Sequence, residues 1–200
     1  MRSFVQQFAH PEGLLGWLVG HLMAWKNGAR SRFALELLGA REGERVLEIG
    51  FGPGVDVARL SRLVGPTGKV AGVDVSREML RHARSRNRGR VATGSVDLRL
   101  APATKLPFAD ASFDAVCATN SAQFWHDLDA AFQEIRRVLR TGGRAVVVVQ
   151  PMRKGATPSD ARDWSSRLQA GMRRSGLVEV THAERALRPV LTVAALGRSA

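Results

Sequence analysis

Four residues at alternate positions, Glu48, Gly50, Gly52 and Gly54, form the part of this sequence best suited to binding a ligand. They overlap the end of a short apolar run that is typical of a buried strand, and a helical pattern begins at Val55. A strand, a glycine-rich turn and a helix bring bare backbone close to a ligand at the carboxyl end of a sheet. A dinucleotide fingerprint is excluded, because G-x-G-x-x-G counted from Gly50 would need a glycine where Val55 stands.

A second candidate ligand-binding residue is Asp74, which ends the next predicted strand, Lys69 to Asp74. A carboxylate at the tip of the second strand of a βαβ unit is placed to accept hydrogen bonds from ribose hydroxyls. Ser76 then caps a predicted helix that runs to about Arg86. The glycine turn alone is also compatible with a tight turn that binds nothing, and Asp74 makes the ligand site the favoured interpretation.

The stretch after the fourth predicted strand carries side chains suited to a second substrate. Asn120 and Gln123 could orient an amine, hydroxyl or carbonyl group, and His126 could remove a proton near pH 7. Phe124 and Trp125 suit an apolar or cation–π wall. The alternative for His126 is a structural position, because the next residue caps a helix. No His or Cys spacing in the sequence matches a metal-ligand set.

Seven strands and the helices between them are predicted to position these residues. The strands cover residues 45–49, 69–74, 96–100, 113–119, 145–149, 177–180 and 190–196. Strands alternating with helices predict an α/β fold, a mainly parallel sheet with helices on both faces. A helix capped by Asp127 should run to Leu139 and stop at Gly142 and Gly143, and another should begin near Asp160. The last two strands have no helix between them, which predicts a hairpin with one antiparallel strand.

The chain is divided into residues 1–40, a predicted N-terminal helical extension, and residues 41–200, the main domain. The extension is unusually apolar, and two interpretations stay open. Leu14, Leu18 and Leu22 could form a lid over the ligand site, whereas Trp17 and Trp25 would suit peripheral contact with a membrane. Its glycines weaken a free amphipathic helix by about 1 kcal/mol each, so the lid is favoured.

Composition places the chain among ordinary globular proteins, with 44% hydrophobic and 24% charged residues. Its formal net charge of +12 comes mainly from arginine, which suits either a polyanion or a solvated helix face. Aromatic residues do not alternate with the arginines, so nucleic-acid binding is disfavoured. One cysteine, no signal peptide and no membrane-spanning run predict a cytoplasmic protein. The sequence leaves its oligomeric state open.

Four segments resemble those of a known family. Residues 46–54 resemble the first motif of class I S-adenosylmethionine-dependent methyltransferases, and residues 73–80 resemble the second. Residues 105–114 (KLPFADASFD) and 134–143 (EIRRVLRTGG) are similar to segments of its ubiquinone/menaquinone-biosynthesis-like, "type 11" branch. The resemblance implies a single Rossmann-like methyltransferase domain, with a seven-stranded sheet in the order 3-2-1-4-5-7-6 and strand 7 antiparallel.

The resemblance also implies roles for particular residues. The three glycines let the backbone approach S-adenosyl-L-methionine, Glu48 orders the turn and reaches the amino group through water, and Asp74 accepts from the ribose. Further cofactor contacts are expected from Val75, Ser76, Met79, Pro102, Ala103, Thr104 and Asn120. Pro102 stands where the family usually has an acid that bonds the adenine amino group, so adenine recognition is left to backbone, Thr104 or apolar contacts.

The function that the resemblance implies is methyl transfer from S-adenosylmethionine to a small-molecule or lipid-like acceptor. Asn120, Gln123 and His126 are the candidate catalytic residues. The alternative is a non-catalytic protein that senses the cofactor or serves as an interaction module on the same fold. Pro102 favours the alternative, whereas intact Glu48 and Asp74 favour the enzyme.

Overall fold

The computed structural model describes residues 28–200, whose strands form one seven-stranded sheet. The helices are α1 Gly28–Leu38, α2 Val55–Leu63, α3 Arg77–Arg86, α4 Arg88–Ala92, α5 Leu128–Val138 and α6 Pro158–Arg174. The strands are β1 Arg45–Ile49, β2 Lys69–Asp74, β3 Val96–Leu100, β4 Phe113–Thr119, β5 Leu139–Val149, β6 Leu177–Arg185 and β7 Thr192–Ser199. A 3₁₀ turn covers Ala122–Phe124.

The strand order is β3-β2-β1-β4-β5-β7-β6, as predicted. The first five strands run parallel, and β7 is antiparallel to both β5 and β6. This confirms the predicted α/β fold with a Rossmann-like sheet. The order reverses between β1 and β4, so the chain leaves these two strands in opposite directions and opens a crevice at their carboxyl ends.

Two hydrophobic layers cover the sheet, one on each face. Successive residues of a strand point to opposite faces, so Val46 joins the layer with α1, α2 and α3, and Leu47 joins the layer with α5 and α6. Phe132 and Met172 are fully buried in the second layer. Because β1, β4 and the second half of β5 are covered on both faces, their sequences are nearly continuous apolar runs.

One hydrogen-bonded unit joins the two segments that resemble the type 11 branch. The Arg137 guanidinium donates to the carbonyls of Leu106 (3.0 Å) and Phe108 (2.8 Å) and to the Asp110 carboxylate (2.7 Å). Glu134 accepts from the Leu106 N–H at 2.6 Å, and its hydrogen bond from Arg137 lowers the pKa of its carboxyl. These segments are therefore a structural clamp between α5 and the loop before β4.

The start of β5 differs from the prediction. Helix α5 ends at Val138, and the chain turns extended at Leu139, which pairs with Phe113 of β4. The next paired residue is Arg144, opposite Ala115, so the residues between bulge out of the ladder. Gly142 has a φ of 74° in this bulge, a left-handed conformation that favours glycine. This glycine therefore lies within β5 and does not end helix α5, which corrects the prediction.

Three other boundaries also differ. Strand β6 runs on to Arg185, because a largely exposed strand at the sheet edge has little apolar pattern to mark its length. Strand β7 begins at Thr192, since the residues before it form the connecting loop. Helix α6 begins at Pro158 behind a capping box in which the Thr157 hydroxyl accepts from the Asp160 N–H. Short helix α4 occupies a stretch predicted as loop.

Only the last part of the predicted N-terminal extension falls within the described residues. It forms α1, whose Phe33, Ala34 and Leu38 are buried against the sheet. Leu14, Leu18 and Leu22, the residues predicted to close the lid, lie outside the described residues, and their role stays a prediction. Between residues 28 and 200, no helix combines the length and apolar character needed to cross a bilayer.

A substitution at Gly54 tests how tightly α2 packs on α3. Its φ is 74°, and a Cβ placed there would lie 2.7 Å from the Ala83 Cβ. We expect Gly54→Ala to lower the free energy of unfolding by about 2–4 kcal/mol, the sum of left-handed strain and overpacking. Urea unfolding measures it.

Gly142→Ala is the matched control, because Gly142 has the same φ of 74° with no atom within 4 Å of an added Cβ. It should lose only the strain, about 1–2 kcal/mol. Equal losses in the two variants would show that the contact with Ala83 adds nothing.

Candidate active site

The carboxyl ends of β1, β2, β4 and β5 open into one cavity of about 1000 Å³. This is at the upper end of the volume usual for small-molecule sites, about 300–1000 Å³. Of the predicted site residues, those on its wall are Glu48, Gly50, Gly52, Asp74, Val75, Ser76, Met79, Pro102, Ala103, Thr104, Asn120 and His126. Gly54 and Gln123 are not on the wall.

The ends of β1 and β4 touch at the floor of the cavity. Gly50 has a φ of 79°, and a Cβ on it would lie 2.3 Å from the Ser121 Cβ. The Ser121 hydroxyl donates to the Ile49 carbonyl at 2.7 Å and ties the two strand ends together. Gly50 is therefore required by this close approach as well as by any ligand. Ser121 was missed by the sequence analysis, because the contact spans 72 residues of chain.

Asp74 organises the loop that follows β1. Its Oδ2 accepts from the Gly52 N–H and its Oδ1 from the Ser76 N–H, both at 2.9 Å. Ser76 in turn caps α3 by accepting from the Met79 N–H at 3.3 Å. The carboxylate therefore fixes the glycine loop to the start of α3, and Asp74 lies on the cavity wall next to the exposed Val75.

Glu48 is the most unusual group of the site. Its carboxylate is 3% exposed, and the Oε2 atom has no hydrogen-bond partner among the described residues. Burial, together with the nearby Asp56 and Asp74 carboxylates, raises the pKa of Glu48 well above its ordinary value. A buried acceptor without a donor is unfavourable, and a cationic or N–H-bearing ligand would satisfy it.

A second polar cluster lies on the cavity wall beside Glu48. Arg59 donates to the Asp56 carboxylate at 3.0 Å, and the Ser31 hydroxyl bridges both groups through short hydrogen bonds. Ser31 belongs to the first turn of α1, so the cluster attaches that helix to the start of α2. Arg30 is on the same wall, and burial lowers the pKa of its guanidinium. The sequence pattern gave no indication of this cluster.

Asn120 holds an unusual backbone conformation at the end of β4. Its φ is 54°, its side chain is almost buried, and its Oδ1 accepts from the Gln150 N–H at 2.7 Å. Left-handed backbone is tolerated best by asparagine after glycine, and such conformations often occur at functional sites. Gln150 also donates to the Thr192 hydroxyl at 2.9 Å. Asn120 therefore couples the ends of β4 and β5, whatever it contacts in the cavity.

The remaining candidates divide between wall and core. Phe124 and Met152 line the cavity and are 44% and 46% exposed. Trp125 packs edge-to-face on Phe132, with ring centroids 6.0 Å apart, so it faces the core as well as the cavity. The Gln123 amide donates to the Asn120 carbonyl at 3.4 Å and is turned away from the wall.

Comparison with known proteins gives the family. A family model described as "Methyltransferase domain" matches residues 47–147, about half of the chain. The chain belongs to this family. It is a class I S-adenosylmethionine-dependent methyltransferase-type domain of the branch that includes the ubiquinone/menaquinone biosynthesis enzymes.

Relatives in sequence and structure agree with this assignment. The chain is similar to the ubiquinone/menaquinone biosynthesis C-methyltransferase UbiE of Pseudomonas putida, with 42% identity over 117 residues, 58% of this chain and 46% of the relative. The match thus spans about half the length of such curated relatives. It is also similar to the uncharacterized methyltransferase YdaC of Bacillus subtilis, with 27% identity over 90% of this chain and 97% of the relative.

Among solved structures, an S-adenosylmethionine-dependent methyltransferase from Aquifex aeolicus shares the fold. Its TM-score is 0.72 at 19% identity, over 90% of this chain and 97% of the other. The putative methyltransferase in complex with the Haloferax volcanii Trm112 activator has a TM-score of 0.75 at 19% identity, over 90% and 92% of the chains. At this identity both comparisons show the fold alone.

The cavity fits the cofactor of the family, S-adenosylmethionine, which carries a sulfonium, an amino group and a ribose. Glu48 offers an unpartnered buried oxygen beside the Asp56 and Asp74 carboxylates, which suits a cationic or N–H-bearing group of the ligand. Gly50 and Gly52 expose backbone on the same wall. Pro102 and Thr104 line it where the family usually has an acid for adenine.

The raised pKa of Glu48 predicts how the stability of the protein depends on pH. A carboxyl whose pKa is raised by folding adds stability below its unfolded value of about 4.3, and this is lost as pH rises through the folded pKa. Glu48→Gln is neutral at every pH and escapes this loss. We expect its melting temperature to exceed that of the parent increasingly as pH rises above about 4.3, while its affinity for S-adenosylhomocysteine falls about tenfold or more.

Glu44→Gln is the control with the opposite sign. Burial alone would raise the pKa of Glu44, but hydrogen bonds from the Arg144 side chain (2.7 and 2.9 Å) and the Arg41 N–H lower it. Stability from such a group is present above the unfolded pKa and lost as pH falls through the folded one. Glu44→Gln should therefore be less stable than the parent at pH 8 and approach it on acidification. Parallel pH profiles for both variants contradict the assignment.

Proposed function

We propose that this protein is an S-adenosylmethionine-dependent methyltransferase that acts on a small-molecule or lipid-like acceptor. The observation that carries the proposal is a single cavity with two kinds of wall. One part is formed by Glu48, Asp74 and the glycine loop, and the other by Phe124 and Met152. A cationic donor suits the first part and an apolar acceptor suits the second.

Methyl transfer requires little of the protein beyond alignment and the exclusion of water. When bound, the cofactor supplies a methyl group on a positively charged sulfur. Held by Glu48, Asp74 and the glycine loop, it would give that methyl group to a nucleophilic atom of the acceptor and would leave as a neutral thioether. Holding the two partners about 3–3.5 Å apart can lower the barrier by about 7–11 kcal/mol.

The acceptor also loses a proton, and His126 is the candidate that would take it. His126 is exposed on the cavity wall, close in sequence to Phe124 of the acceptor side. Asn120 is the candidate for orienting the acceptor, since it stands at the end of β4 between the two parts of the cavity. Gln123, directed to the Asn120 carbonyl, would act as a support for that turn rather than on the acceptor.

The non-catalytic alternative has one feature in its favour, Pro102 at the usual place of the adenine-binding acid. It predicts cofactor binding without turnover. Isotope transfer from methyl-labelled S-adenosylmethionine to a panel of phenols, amines and quinols separates the two functions. Labelled product with any acceptor establishes the enzyme. A cofactor that binds but is never consumed across the panel would favour the sensor.

Asp74→Ala tests the cofactor site directly. We expect the free energy of S-adenosylhomocysteine binding to weaken by about 1.5–3 kcal/mol, roughly 10- to 150-fold in Kd, through loss of a charge-assisted acceptor and of the anchor for Gly52. Titration calorimetry measures it. Asp74→Asn keeps one acceptor oxygen and serves where the alanine variant does not fold.

The matched control is Asp97→Ala on β3, an exposed carboxylate paired with Arg99 and not part of the cavity wall. It removes the same charge and should leave the affinity unchanged. An equal loss of affinity in both variants would mean that binding depends on the net charge of the protein and not on the position of Asp74. No binding to the parent protein at millimolar S-adenosylhomocysteine would remove the proposed function.

A further inference from the structure

Two cations on the cavity wall, Lys154 and Arg188, have no ion pair or side-chain hydrogen bond with any residue between 28 and 200. Other basic side chains of this wall are engaged. Arg59 bonds Asp56 at 3.0 Å, and Arg153 bonds Asp160 at 2.6 Å. Lys154 and Arg188 are therefore available to a ligand, and both are exposed to solvent where the cavity opens.

The loops that carry these two cations both lie near Gln150. Lys154 lies four positions after Gln150, whose side chain donates to the Leu187 carbonyl at 3.3 Å and to the Thr192 hydroxyl at 2.9 Å. Four residues of chain span at most about 14 Å, so Lys154 lies within that distance of Gln150. The Gln150 amide fixes the loop that carries Arg188, and both cations lie on the wall of the same cavity.

The acidic and the basic side chains of the cavity lie on different strands, helices and loops. Its acids, Glu48, Asp56 and Asp74, belong to β1, the start of α2 and the end of β2. Its unpaired cations belong to the loops after β5 and β6, on the other side of the strand reversal. Apolar surface from Phe124 and Met152 is present on the same wall. A cationic molecule suits one side, and an anionic one suits the other.

We propose that the acceptor is an amphipathic anion, with an apolar body against Phe124 and Met152 and a carboxylate or phosphate bound by Lys154 and Arg188. The proposal rests on the proposed function for the division of the cavity into donor and acceptor sides. Guanidinium and ammonium groups bind such oxyanions through charge-assisted hydrogen bonds, and the arginine fork does so with two parallel bonds.

The chain's overall charge of +12 offers another explanation for any affinity for anions, so the test compares positions as well as charges. Four probes share one apolar body: 4-phenylbutyl phosphate, 4-phenylbutyrate, 4-phenylbutan-1-ol and 4-phenylbutylammonium. Each is titrated calorimetrically into the protein alone and into the protein saturated with S-adenosylhomocysteine. We expect the two anions to bind about tenfold more tightly than the alcohol, and the ammonium to bind most weakly.

The double variant Lys154→Glu/Arg188→Glu should bind both anions about tenfold or more weakly and the alcohol as before. Its control is Lys69→Glu/Arg62→Glu, which makes the same change in charge at exposed residues off the cavity wall, at the start of β2 and the end of α2. Lys154→Gln/Arg188→Gln serves where the charge reversal prevents folding. Added salt should weaken the anions and not the alcohol.

Equal affinities for the alcohol and the anions, or equal losses in the double variant and its control, would overturn the proposal. Vesicles of phosphatidylglycerol form a separate arm, because an anionic lipid headgroup has the same chemistry. Binding to vesicles with none to the soluble anions also overturns it, since the anion then does not enter the cavity as a single molecule.

The titrations without cofactor keep the two proposals apart. Failure of S-adenosylhomocysteine to bind, with anion binding at Lys154 and Arg188 intact, removes the methyltransferase function and leaves the anion site. Cofactor binding with no preference for anions removes the anion site and leaves the methyltransferase function.

Discussion

The contact between Gly50 and Ser121 is the constraint on which the candidate site depends. At this point β1 and β4 end side by side, and a Cβ on Gly50 would lie 2.3 Å from that of Ser121. The two backbones can separate into opposite crossovers only beyond this contact, so the cavity opens directly above it. Asp74 then fixes the loop on one side, and Asn120 fixes the chain on the other. Each of the backbone turns that bound the cavity thus requires a particular residue.

Glu48 shows how function opposes stability in this arrangement. The residue lies in a strand covered on both faces, where an apolar side chain would fit the surrounding core. Instead a carboxylate is buried with one unpartnered oxygen, next to two other acids. Such a group is unfavourable in the folded chain unless a ligand supplies positive charge or a donor. Ligand binding should therefore release unfavourable electrostatic energy that folding has accumulated.

The fold could be predicted from the sequence because its signals are local. Apolar runs marked four parallel strands to the residue, and the motif order implied the strand order. Prediction was wrong where long-range pairing overrides local pattern. Leu139 pairs with β4, although the sequence up to Gly143 is typical of the end of a helix. Strand β6 continues to Arg185 through residues that are too polar to give a recognisable strand pattern.

The site was only half predictable for the same reason. Most cofactor-side candidates come from two motifs that carry their own geometry, and every candidate on this side except Gly54 lines the cavity. Gly54 instead packs on Ala83, a contact that spacing cannot distinguish from ligand approach. Acceptor-side residues are brought in by loops distant in sequence. Arg188 and Ser31 reach the wall through Gln150 and Asp56, and no local pattern marks such contacts.

Under the proposed function, acceptor specificity in the described part of the chain depends on the loops after β5 and β6. The sheet and its glycine turn hold the donor side rigidly, through hydrogen bonds to Asp74 and the packing of Gly50. The loops after β5 and β6 are largely exposed, and the Gln150 amide holds the second of them through the Leu187 carbonyl and the Thr192 hydroxyl. Substitutions there leave the core layers untouched and change the charge and shape of the cavity rim. The same domain could therefore be adapted to different acceptors without loss of its cofactor site.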